Sequence, residues 1–444
     1  MKGEAFWASA VQWARVGVGG VVFLVAARSL PVEAIGAFGI AAAPLRLLQV
    51  IHKGGVEDAA VVTDPADTAG LAALQRVSLF AGLGAAGLAL ATAPLVGLAG
   101  EGVTALALAL GLVPMVHGAG AVADGQLRRA ARFRALALRT LAGQTAAAGL
   151  AFWALWAGAG VWALVGFTLV QAVIATALAV GMAGWVRGPA GDVRAAVARV
   201  WPLALRVLAG GMVQPVLQVA IGAVAGLAAA GVWQIAVRVV GLLEALTVVP
   251  LRFVALPRLA RGGAGEVPGL IRAAGLAGVW VMGGTALAAP AMVGALLGPE
   301  GAQVVPVLQV LCAGAVAGGG VAVLNQALIG AGRGRAALRV AVIAAGAALV
   351  AGGVALAVWP GGVALALSQV AAGWVALALL LRGSGVGLAA VLRPWGGIVA
   401  MAPAVWAAGW LAGGTGVWGV LAAQVVAGTA ALAAVMWGAR WRGR

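Results

Sequence analysis

What most constrains this chain is an alternation: stretches of about 20 mostly apolar residues, joined by connections that are rich in arginine at every second position and nearly free of it at the others. A stretch of that length crosses a bilayer as a helix, because in hydrocarbon each backbone N–H and C=O must be satisfied within its own segment. About fourteen such spans can be drawn. They cover 5–27, 36–60, 77–98, 103–125, 140–158, 161–183, 201–225, 232–256, 273–297, 304–330, 338–359, 363–381, 395–412 and 416–437. Only 9% of the residues are charged and 64% are hydrophobic, where soluble domains carry roughly 25% charge. The expected fold class is therefore an all-α polytopic membrane protein. Near the N-terminus Arg15 interrupts what would be the apolar core of a signal peptide, so this stretch reads as a retained first span.

The basic residues orient the spans. Arg128, Arg129, Arg132, Arg134 and Arg139 follow the fourth span, Arg187, Arg194 and Arg199 the sixth, and Arg258, Arg261 and Arg272 the eighth. Arg333, Arg335 and Arg339 follow the tenth, Arg382 and Arg393 flank the next such connection, and Arg440, Arg442 and Arg444 close the chain. Arg28 is the exception. Arginine-rich loops stay in the cytoplasm, which places both termini there. The formal net charge of +16 is thus a topology signal rather than a nucleic-acid footprint, since no soluble domain carries it.

The chain also repeats. Sliding it by about 195 residues, one block of six spans, lays Gly36 on Gly231, Ile40 and Ala41 on Ile235 and Ala236, and Gln49 on Glu244. An even number of spans per block preserves orientation. The expected organisation is therefore two parallel six-helix lobes, 1–200 and 201–382, around a central cavity, with a C-terminal helix pair and basic tail over 383–444.

Polar residues at membrane depth should line a cavity, a partner or water, because a charge in hydrocarbon is costly. In 36–58 they are Arg46, Gln49, Lys53 and Glu57, which share one face of a continuous helix. Arg15 lies near the middle of the first span, with Gln12 a turn earlier. In the second half Arg206, Gln214 and Gln218 form a stripe, and Gln234, Arg238 and Arg252 lie close to one face while Glu244 points elsewhere. Arg15, Arg46, Arg206 and Arg238 are the candidate cavity cations, with Gln12, Gln49, Gln214 and Gln218 beside them. Lys53, Glu57 and Glu244 are candidate coupling or gate residues. Blander readings stand next to these: Arg206 and Arg252 can snorkel to the inner surface, Lys53 with Glu57 and Asp124 with Arg128 have the spacing of local ion pairs, and His117 suits a packing role.

Enzyme chemistry is not expected. No HExxH, GxSxG, CxxC or phosphate-loop motif occurs, the two histidines and one cysteine offer no metal site, and no cofactor is implied. Cys312 reads as a small packing residue. A membrane polysaccharide polymerase would need a sizeable loop on the arginine-poor side, and all of those connections are short.

Several stretches together resemble the oligosaccharide flippases of bacterial polysaccharide biosynthesis, in the superfamily that also holds multidrug and toxin extruders and lipid II flippases. They are AARSLPVEAIGAFGIA at 26–41, QLRRAARFRALALR at 126–139 with its Arg129-Ala-Ala-Arg132-Phe133 core, GAGVWALVGFTLVQ at 158–171, residues 228–261, and LIGAGRGR ending at Arg335. The chain departs from the pattern after Gln218, where the family often has an Asp and a polar run, and at Trp233, which replaces a tyrosine. The resemblance implies movement of a polyprenyl pyrophosphate-linked oligosaccharide from the cytoplasmic to the periplasmic leaflet of the inner membrane by alternating access. Guanidinium groups suit pyrophosphate oxygens, and glutamines suit sugar hydroxyls. A proton or sodium ion is the expected coupling partner. A lipid II flippase and an ion-coupled drug exporter of the same fold remain as alternatives, the latter expected to show buried carboxylates rather than arginines.

Overall fold

The computed structural model describes residues 2–97, 102–189, 191–331, 333–384 and 386–441, which are helical with short connections and, among the described residues, contain no strand. Helices α1 (Lys2–Ser29), α2 (Val32–Val50), α3 (Glu57–Val62), α4 (Thr68–Gly97), α5 (Val103–Leu110), α6 (Leu112–Arg129), α7 (Phe133–Trp156), α8 (Trp162–Ala183) and α9 (Val193–Gly211) lie in the first half. Then come α10 (Val213–Gly262), α11 (Val267–Gly278), α12 (Gly284–Leu297), α13 (Val304–Ala315), α14 (Gly318–Gly330) and α15 (Gly334–Val358). The last are α16 (Gly362–Ser384), α17 (Leu388–Leu392), α18 (Gly396–Leu411) and α19 (Gly416–Trp441). Two compact units divide the chain at Gln234 and Ile235.

Eleven helical segments among the described residues are long and apolar enough to cross a membrane. The broken rods α5–α6, α11–α12, α13–α14 and α17–α18 each count as one, and α1, α7 and α9 are not among the eleven. Polar residues dilute the last two, Arg139 and Gln144 on α7 and Arg194 and Arg199 on α9. Large apolar side chains face outward, including Phe80, Val350 and Val399, as lipid contact requires. Exposed tryptophans 156, 162, 359, 410 and 418 cluster at the arginine-poor connections, where an amphipathic ring favours the interface.

The turns follow from local chemistry. Asp67 accepts from Gly70 N at 2.7 Å and starts α4. Asp192 accepts from Arg194 N at 2.8 Å and starts α9, satisfying donors that a helix start leaves open. This puts the beginning of the seventh rod at Val193 rather than at 201, because Ala196 and Val200 are buried while Arg194 and Arg199 stay at the rim. Gly226, at φ 84° and ψ 177°, breaks α10 into two arms. Gln218 Nε2 on the first arm donates to Ala230 O on the second at 3.1 Å, so the chain doubles back as the sequence pattern near 226 requires.

Within the first unit α2 lies directly on this hairpin. A Cβ at Gly36 would meet Leu227 O and Gly231 N, one at Gly231 would meet Val32 O, and one at Gly39 would meet Gln234 Cγ at 3.2 Å. Gly36 with Gly231, and Gly39 with Gln234, are pairs that the internal repeat makes equivalent. These close approaches hold α2 tightly against the hairpin. The core of this unit gathers Val56, Ala60, Leu74, Val122 and Val200. The second unit has its own core around Leu270, Ile271, Val323, Leu324 and Leu377.

Candidate functional site

The second span is not one continuous α-helix. Between α2 and α3 residues Ile51–Val56 form a π-helical turn, at IHKGGV, where Gly55 lets Val200 approach to 2.8 Å of a would-be Cβ. One extra residue in a turn rotates everything beyond it by about 100°. The single face expected for Arg46, Gln49, Lys53 and Glu57 is therefore interrupted. Arg46 and Gln49 stay half-buried on α2, and Glu57 turns toward α6.

There Arg128 Nη1 donates to Glu57 Oε1 at 3.1 Å and to Asp58 Oδ1 at 3.0 Å. Asp124, one turn earlier on α6, pairs instead with Arg139 of α7, Nη2 to Oδ1 at 2.8 Å. Arg139 Nη1 reaches across to Ala175 O on α8 at 3.2 Å. The local pairing expected between Asp124 and Arg128 is thus replaced by two bridges, one from α3 to α6 and one through α6, α7 and α8. The physical reason is the hairpin: Asp124 and Arg139 stand at similar distances either side of the turn at Ala131, so they face each other across antiparallel helices. That symmetry was a signal available in the sequence. The Arg128 contacts, made between rods that are not consecutive, had none.

Arg15 belongs to the same neighbourhood. Its α1 packs on α7, its side chain is solvent-accessible, and the charges of Glu57, Arg139 and Asp124 all act on it. It is an accessible guanidinium on a helix packed against α7, under the influence of two carboxylates and a second arginine. A further buried polar group was missed. His52, in the π turn, lies with Nε2 3.2 Å from Ser78 O and against Gly118, while Gln75 Nε2 contacts Gly118 O at 3.4 Å.

The remaining candidates are distributed as follows. Gln214 is half-buried and Gln218 fully buried, the latter with its amide engaged by Ala230 as above. The side chains of Gln12, Lys53, Arg206 and Arg252 lie outside the described residues. In the second unit Arg238 is half-buried and Glu244 exposed, and the Glu244 charge acts on buried Cys312. No cluster of metal-binding side chains occurs among the described residues.

A family model described as polysaccharide biosynthesis protein matches residues 25–306. The chain belongs to this family. No curated protein matches it in sequence. Among solved structures, the chain is similar to one titled lipid II flippase MurJ, inward closed conformation, with a TM-score of 0.82 at 13% identity, covering 99% of each chain. It is also similar to an inward-facing multidrug resistance MATE family transporter of the MOP superfamily, with a TM-score of 0.57 at 14% identity over 87% of this chain and 95% of that one. The outward-facing form of such a transporter gives 0.57 at 15% identity, over 86% and 94%. At these identities the likeness establishes the fold. The fold is shared with these flippase and transporter structures, as the resemblance in the motifs leads one to expect.

Proposed function

We propose that this protein is a flippase, not an enzyme, that carries a polyprenyl pyrophosphate-linked oligosaccharide from the cytoplasmic to the periplasmic leaflet of the inner membrane. The observation that carries the reading is Arg15: a family member with the fold of flippases and transporters holds an accessible arginine in the middle of α1, where the charges of Glu57, Asp124 and Arg139 act on it. A pyrophosphate leaving water needs such compensation, and a guanidinium supplies several aimed donors at once. Arg46, Arg206 and Arg238 complete the cation set on this reading, with Gln12, Gln49, Gln214 and Gln218 offered to the sugar. Lobes 1–200 and 201–382 alternate in access, both termini are cytoplasmic, and 383–444 forms the accessory helix pair. Glu57 and Glu244 are the candidates for coupling to a proton or sodium ion, with Lys53 at the gate.

A second cargo has a specific observation in its favour. The likeness to the lipid II flippase runs over 99% of this chain, including α17 to α19, whereas the MATE transporter covers 87%. Lipid II carries the same pyrophosphate, so the arginine argument applies to it unchanged.

The test is leaflet orientation of lipid-linked glycan in cells lacking the gene and complemented with variants. Arg15→Gln and Arg46→Gln, at normal abundance, are expected to slow delivery to the periplasmic leaflet by about tenfold to a hundredfold, the worth of a charged hydrogen bond. Delivery at the normal rate in the deletion strain, with no redundant carrier, overturns the proposal. A defect confined to lipid II selects the second cargo.

A further inference from the structure

At the arginine-rich side of the first unit, the ends of α3, α6 and α8 and the loop before α4 enclose a pocket of about 380 Å³, within the size range of small-ligand sites. Its wall is apolar, with Ala60, Leu71, Leu127 and Ala183, and its rim carries Arg129 and Arg132. Arg129 Nη1 donates to Val61 O at 2.8 Å, and Arg132 Nη1 donates to Met182 O at 3.1 Å. Arg199 adds a third guanidinium beside the pocket, donating to Thr63 Oγ1 at 2.9 Å.

All three cations are anchored by neutral acceptors. Of the carboxylates nearby, Glu57 and Asp58 hold Arg128, while Asp64 Oδ1 accepts from Ala66 N and Asp67 Oδ1 from Gly70 N. Among the described residues no carboxylate forms an ion pair with Arg129, Arg132 or Arg199. A guanidinium has five donors, so the anchoring bonds fix each group while leaving positive charge and N–H capacity at the rim. Ala131, a non-glycine residue held at positive φ (51°), makes the tight turn that sets Arg129 and Arg132 on either side. Anchored arginines at the mouth of an apolar pocket match an amphiphile with a phosphate at one end.

We propose that this pocket binds the phosphate of an anionic phospholipid headgroup, with the glycerol and first methylenes against its apolar wall. The lipid source is favoured over free phosphate because the pocket lies where helices end and apolar wall continues from the rim. The site is separate from Arg15 and Arg46, and the inference does not depend on which cargo is moved.

The experiment is native mass spectrometry of the full chain, delipidated in detergent and then supplied with phosphatidylglycerol, phosphatidylcholine or inorganic phosphate. Wild type is expected to retain phosphatidylglycerol over phosphatidylcholine, and Arg129→Gln with Arg132→Gln to lower that retention by about tenfold, in line with the worth of basic residues at an anionic surface. Ala130→Trp fills the pocket from its exposed edge while leaving both guanidinium groups in place, and is expected to lower retention as well; it covers the case in which loss of the carbonyl anchors impairs folding. Arg335→Gln removes the same charge from the second unit and is expected to change nothing. Retention in the site variants equal to that of R335Q overturns the proposal, since the attraction is then diffuse. Inorganic phosphate bound as firmly as the lipid overturns the lipid assignment and gives the pocket to a soluble anion.

Discussion

The hairpin of α6 and α7 and the hairpin of α18 and α19 are both antiparallel helix pairs in a membrane fold, yet they are held by opposite means. The first is closed by charge: Asp124 and Arg139 meet at 2.8 Å, with side chains 19% and 9% exposed, and Arg139 ties in α8 through Ala175 O. The second is closed by small residues. Gly428 sits where a Cβ would lie 3.1 Å from Val405 Cγ2, and Gly409 faces Gln424. Between α12, α18 and α19 runs an apolar groove of about 620 Å³ lined by Leu287, Pro290, Trp406 and Trp410. A hydrocarbon solvent gives helices no hydrophobic reason to associate, so close packing or polar bonds must do it. Charge is concentrated at the arginine-rich side of the first unit, and small residues suffice in the second hairpin.

The comparison breaks most readily at Arg139. Its replacement by Ala leaves Asp124 half-enclosed without its cation, and losing one partner of a buried pair costs about 3–5 kcal/mol. The low end is expected, because Asp124 keeps some exposure. Unfolding in mixed detergent micelles checks this, and the double variant D124L/R139L should recover most of the loss if the deficit is an uncompensated charge. A D124L/R139L protein no more stable than R139A would show that the hairpin is closed by something other than the pair.

The corresponding change in the second hairpin is Gly428→Leu. Extra methylenes against Val405 and Met401, whose Cε lies 3.5 Å from the would-be Cβ, overpack the contact by about 1–3 kcal/mol. The groove offers the side chain partial relief, so the effect should fall below that of R139A. The same unfolding measurement orders the two, and a larger loss for G428L would reverse the view that charge is the stronger closure.

Much of this architecture was legible from the residues. The all-helical fold class and the turn at Gly226 follow from apolar length and glycine pattern, while of about fourteen spans drawn from the sequence eleven segments among the described residues are long and apolar enough to cross a membrane. What was not legible depends on phase and on non-local pairing. The stripe from Arg46 to Glu57 assumed an unbroken 3.6-residue period, and the π turn at Ile51–Val56 redirected its second half. Asp124 was within one turn of Arg128, yet the geometry gave it to Arg139, because a partner facing it across a hairpin competes with one on its own helix. The start of α9 was missed because Arg194 and Arg199 disguise a helix whose opposite face, at Ala196 and Val200, is buried.

The smallest effect separates two kinds of charge within the first unit. Arg128 is 41% exposed, against 18% for Glu57 and 26% for Asp58, so its bridges are part of the watery rim rather than of the hairpin core. Exposed ion pairs are worth about 0.2–1 kcal/mol, and Arg128→Gln keeps a donor in place of the cation. The expected loss is therefore about 0.5 kcal/mol. Salt distinguishes it from the Arg139 contact: raising ionic strength to about 1 M shortens the screening length to about 3 Å, which should erase the difference between wild type and R128Q while leaving the R139A deficit largely intact. If both deficits fade together with salt, the Asp124–Arg139 pair is as wet as the rim pair, and the contrast between a charge-closed and a packing-closed hairpin loses its physical basis.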